Sequence, residues 1–134
     1  MATILAHITV KPGCESVFES IAARLFRRTH DDETAVRRYE YWRGAEPRTY
    51  YTLLAFDDFN GFLAHQTSPH HENEAQAIRD AVETLTLEWV DPIVGASPLV
   101  PTEDRPSPDG ADELVRRYAN LYAPDVQEWW LAQR

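Results

Sequence analysis

The sequence predicts an α+β domain in which four antiparallel strands carry helices on one face, followed by a helical extension. Three observations lead there. Ala2 to Val10 alternates Ile4, Ala6, Ile8 and Val10 with Thr3, Leu5, His7 and Thr9, the period of a half-buried strand. Val17, Phe18, Ile21, Ala22, Leu25 and Phe26 follow at the spacing of one helical face. Tyr50 to Phe56 is β-branched, aromatic and aliphatic without glycine or proline, and it runs into a second helical pattern.

Each element has a local reason. Lys11-Pro12-Gly13 turns the chain after the first strand, and Arg24, Arg27 and Arg28 sit where cations complement the end of the helix as solvated charges. The second strand, Ala35 to Arg43, sets Val36, Arg38, Glu40 and Trp42 against Arg37, Tyr39, Tyr41 and Arg43. Gly44 to Arg48 then links it to the strand Thr49 to Phe56 as a hairpin. Asp57 and Asp58 are placed to cap a helix that turns Phe59, Phe62, Leu63 and His65 to one side. Ser68-Pro69 stops it and starts another, with His70 and His71 in the new first turn. That helix is expected to run to about Leu85, and Thr86 to Val94, interrupted by Pro92, forms an edge or bulged strand.

Strand, helix, strand, strand, helix pair, strand is the order of a ferredoxin-like split βαβ sandwich. Its bare sheet face would expose tyrosine, tryptophan and leucine, so a second copy is expected to cover it as a homodimer. The chain therefore divides into a domain at residues 1–96, a proline-rich linker at 97–111 and a helical tail at 112–134. With Leu114, Val115, Tyr118, Leu121 and Tyr122 on one face, and Trp129 and Trp130 beyond, the tail is too apolar to float and is expected to dock on its own or the partner subunit.

Composition bounds the function. The 134 residues, 43% hydrophobic and 26% charged, fit one globular domain. A net charge of −9 repels phosphate backbones and anionic headgroups, so neither nucleic acid nor a membrane surface is an expected partner. No apolar run approaches the ~20 residues of a membrane helix. The single cysteine, Cys14, cannot close an internal disulfide, and the N-terminus lacks the pattern of a signal peptide, which together suggest the cytoplasm.

Three stretches carry a resemblance: AHITVKPG at Ala6 to Gly13, RYEYWRGAEPRTYYTLLAFDD at Arg38 to Asp58, and above all FLAHQTSPHH at Phe62 to His71. Over residues 2 to about 95 the chain resembles the antibiotic biosynthesis monooxygenases, a family of dimeric α+β barrels that includes quinol monooxygenases. The resemblance implies a cofactor-independent monooxygenase acting with O2 on an electron-rich quinol or polyketide-like aromatic. An enzyme base would take a phenolic proton in a dry aromatic pocket, and no metal or organic cofactor would be needed. It places His65 and His70 at the family's recurrent AH and SPH positions as catalytic candidates. It also implies Trp42, Tyr51 and Phe62 as candidate pocket walls, with His7 and His71 as further substrate contacts.

Other readings stand beside this one. His65 could be a hydrogen-bonded core histidine, His70 and His71 could serve only a helix start, and the aromatics could be core or interface. A non-catalytic dimeric barrel that binds a small hydrophobic molecule predicts the same fold. The haem-degrading branch of the family uses an asparagine, a tryptophan and a histidine where this chain has Ala6, His65 and about Ala75, which disfavours haem oxygenation. The histidines lack an HExxH pattern or a cysteine pair, so a metal site is not expected from spacing.

Overall fold

A computed structural model describes residues 1–104 and 108–134. Its sheet is built from β1 (Ala2–Val10), β2 (Val36–Arg43), β3 (Thr49–Phe56) and β4 (Val82–Trp89), and the helices are α1 (Glu15–Asp32), α2 (Phe59–Gln66), α3 (Pro69–Ala81), α4 (Glu113–Leu121) and α5 (Glu128–Leu131). The strands lie in the order β2-β3-β1-β4 and the three neighbouring pairs are antiparallel, which gives the expected ferredoxin-like α+β fold. β4 is an edge strand, and its register against β1 shifts between Thr9 and Val10.

Sheet alternation decides what each face holds. Ala2, Ile4, Ala6, Ile8 and Val10 of β1 are buried and form the core with Phe18, Ile21 and Leu25 of α1 and Phe59, Phe62 and Leu63 of α2. Tyr39 and Tyr41 share this inner side: Tyr41 packs edge-on to Phe18 at 6.1 Å, and Tyr39 meets His65 at 4.7 Å. Tyr39 and Tyr41 therefore belong to the helix-covered side of the sheet and not to the bare face expected to meet a second copy. On the outer side, His7, Tyr51 and Trp42 stand in one row across β1, β3 and β2.

Two boundaries differ from expectation. The third helix ends at Ala81 rather than near Leu85, and β4 occupies Val82–Trp89 rather than 86–94. Leu85 continues the helical series of Ile78 and Val82 and equally opens the strand alternation with Leu87, and pairing with β1 settles the choice, with Ile8 opposite Leu85 and Ala6 opposite Leu87. Pro92 thus follows the strand instead of interrupting it.

Within the stretch expected as a linker, Thr102 is fully buried; its hydroxyl donates to the Val90 carbonyl, and Glu103 N–H donates to the Met1 carbonyl. Residues 105–107 of that stretch lie outside the described residues. In the tail, α4 opens on Asp112, whose side chain accepts from Val115 N–H, and it packs through Val115, Tyr118, Ala119 and Tyr122. Trp129 stays 67% exposed, while the Arg134 guanidinium pairs with Asp91 at 2.9 Å.

Candidate functional site

The site is built at the junction of β3, α2 and α3. Asp58 caps α2 by accepting from Gly61 N–H at 2.8 Å, and Gly61 lets this first turn approach the chain entering β2, since a Cβ there would come within 2.8 Å of the Ala35 Cβ. One turn later α2 delivers His65, which is wholly inaccessible to solvent. Ser68 caps α3 by accepting from His71 N–H at 3.2 Å, and Pro69 begins the helix, so His70 and His71 project from a fixed first turn.

His65 and His70 converge on a residue that no spacing pointed to. Glu33, at the C-terminal end of α1, places one carboxylate oxygen 2.9 Å from His65 Nδ1 and 2.7 Å from His70 Nε2. An ionised carboxylate only accepts, so it selects the Nδ1–H tautomer of His65 and leaves Nε2 as a lone pair. That Nε2 is buried without a partner. The ring is fixed between Tyr39 and Phe56, at centroid distances of 4.7 and 5.2 Å. Burial sets the protonation: it pushes Glu33 up to about 7 against the opposing pull of His70, and pushes His65 down to about 3. At neutral pH His65 is therefore a neutral imidazole backed by a carboxyl group poised to ionise.

His65 lines a partly open cavity of about 180 Å³ between the inner face of the sheet, α1, α2, α3 and α4. Two further unpartnered polar atoms belong to residues of the same lining, His71 Nδ1 and Thr52 Oγ1. The His71 ring lies 4.9 Å from that of His65; it donates to the Gln66 carbonyl, and burial pushes it down to about 3. Apart from Gln66 and Arg79, the remaining wall is apolar or phenolic, with Ala6, Ile8, Tyr39, Tyr41, Tyr118 and Tyr122 among its residues. Tyr39 and Tyr41 bond to each other at 2.8 Å, and burial raises both hydroxyls, Tyr41 to about 12.

Of the seven residues expected at the site, His65 and His71 line this cavity and His70 joins through Glu33. Phe62 is fully buried among Phe56, Phe59, Trp89 and Tyr122 as core rather than wall. His7, Tyr51 and Trp42 do not share the cavity in this chain, because strand alternation turns them to the opposite face. There His7 meets Tyr51 edge-on at 5.6 Å and Glu88 at 2.9 Å, and Trp42 is 60% exposed. Among the described residues, Glu33, His65 and His70 also form a two-histidine, one-carboxylate donor set whose ligand atoms lie within 4.8 Å of one another.

The fold and site together define a small ferredoxin-like α+β domain with a mostly apolar cavity between sheet and helices and a buried imidazole facing it. The model of the antibiotic biosynthesis monooxygenase family matches residues 1–77, and the chain belongs to that family. Solved structures with the same fold include an antibiotic biosynthesis monooxygenase (16% identity, 69% of this chain and 99% of that one, TM-score 0.64). Proteins from Mycobacterium tuberculosis (16%, 72% and 98%, TM-score 0.65) and Shewanella oneidensis (23%, 66% and 87%, TM-score 0.62) are similar too. At these identities the likeness is one of fold. No curated protein matches the sequence.

Proposed function

We propose that this chain is a cofactor-independent monooxygenase of electron-rich aromatic diols, with His65 as the base. The observation that carries the reading is the lone pair of His65 Nε2, buried and unpartnered in an apolar cavity while Glu33 holds the other ring nitrogen. His71 Nδ1 offers a second acceptor beside it, so the cavity suits a ring with two neighbouring hydroxyl donors. Family membership supports oxygenation over simple binding.

In this mechanism His65 takes one phenolic proton, and the carboxylate of Glu33 stabilises the imidazolium that forms. The phenolate, now electron-rich, reduces O2; one oxygen atom enters the ring and the other leaves as water, so a diol plus O2 gives a hydroxyquinone plus H2O. His70, bonded to the same carboxylate oxygen, is a positioning residue that fixes Glu33. The outer row of His7, Tyr51 and Trp42 is assigned to contact with a second copy of the chain.

Oxygen uptake by the purified protein with catechols and hydroquinones tests the reading. Turnover is expected to rise with pH through about 7 as Glu33 ionises. Glu33→Gln should flatten that profile and lower kcat about 10- to 100-fold, and His65→Ala should lower it at least as far. Turnover that is indifferent to both substitutions rules out this base; absence of uptake with every diol leaves a binding barrel, in which the same histidines only hydrogen-bond.

A further inference from the structure

We infer that α4 sets the size of substrate this site accepts, Tyr118 and Tyr122 forming a wall that confines the cavity to a single aromatic ring. The inference rests on the reading of the cavity as an aromatic site and adds to it a determinant from outside the family match, which ends at residue 77. Both tyrosines line the cavity, and their rings stack at 5.8 Å with 11° between planes, offering a flat boundary. Tyr122 is braced behind by Phe62, edge-on at 5.9 Å. The Tyr118 hydroxyl donates to the Glu72 carboxylate, on the residue that follows His71 in α3. One hydrogen bond therefore ties the wall to the helix that supplies the second acceptor.

Size gives the consequence. A cavity of roughly 150 Å³ accommodates benzene, so about 180 Å³ suits one substituted ring. A fused two-ring diol would have to displace α4. That helix is held on one side only: Ala119 is buried, whereas Leu121 is 61% exposed. Moving the wall would leave the sheet intact, because α4 contributes no strand pairing.

The test is anaerobic calorimetry with two probes, catechol and 2,3-dihydroxynaphthalene, on the full-length chain and on Tyr118→Phe and Tyr122→Ala. The unmodified protein should prefer the one-ring probe by about tenfold or more, and Tyr122→Ala should abolish or reverse that preference by tightening the two-ring probe. Tyr118→Phe, nearly isosteric and retaining the apolar contacts, should shift the ratio the same way by a smaller factor; near-ultraviolet circular dichroism checks that each variant is folded. An unchanged ratio in both variants overturns the role of α4 while leaving the aromatic site standing. Failure of the unmodified protein to bind either probe overturns the aromatic site and this inference together.

Discussion

Glu33 stands 32 positions before His65 in an acidic run, and nothing in that run distinguishes it from Asp31 or Asp32. Only folding brings it beneath the two histidines. Their burial has a measurable consequence for stability. His65 and His71 have lowered pKa values, so below their unfolded value of 6.5 the unfolded chain binds protons that the native chain refuses, and the stability present above pH 6.5 is lost as pH falls toward about 3. Glu33 acts in the opposite sense: its pKa is raised to about 7, so its contribution is present below 4.5 and is lost as pH rises through about 7. Between pH 4.5 and 6.5 two histidines outweigh one carboxyl, a difference of one proton, or about 1.4 kcal/mol per pH unit. Denaturant midpoints should therefore fall on acidification from pH 6.5, and His71→Asn should weaken that slope. A midpoint that rises on acidification would contradict the buried neutral histidines.

At the scale of elements, the junction between β3 and α2 depends on a missing side chain. A Cβ at Gly61 would lie 2.8 Å from the Ala35 Cβ, closer than carbon atoms tolerate, so Gly61→Ala should push α2 outward and carry His65 with it. We expect a loss of about 1 to 3 kcal/mol in chemical denaturation together with weakened diol binding. Unaltered stability and binding would mean that the two segments separate freely. Most elements were legible because their signals are local. The Asp58 and Ser68 caps, the Pro69 start and the β1 alternation each act within a few residues, and all are present. The end of α3 was less legible, since Val82 and Leu85 keep the helical spacing of Ile78 until β1 supplies strand partners. The candidate site divides in the same way. His65 and His71 stood out by clustering in sequence, whereas Glu33 behind His65, and Tyr39 and Tyr118 in the cavity wall, are brought in through tertiary contact alone. His7, Tyr51 and Trp42 were grouped with them on chemistry, and strand parity sent them to the other side of the sheet.

For the whole molecule, the outer sheet face decides the state of assembly. Leu5, Leu53 and Tyr51 are only half-buried there and Trp42 is 60% exposed, an apolar surface that a second copy would cover. Light scattering at micromolar concentration should give about twice the chain mass of 15.4 kDa. Trp42→Glu should then shift the equilibrium toward the monomer, because it would bury an unpaired charge. A monomer before any substitution would remove the outer row from an interface.

β1 holds a central place in the sheet, with β3 on one side and β4 on the other, yet it precedes both in the sequence. Its hydrogen bonds to Trp89 and its neighbours span some eighty residues, so after β3 has paired with one edge of β1 the other edge has no mate until β4 has been translated. Loop closure over such distances slows folding, and unpaired strand edges invite association with other chains in the meantime. The same topology makes the last strand the one that completes the sheet, and a nascent chain halted before Val82 would present β1 with a bare edge.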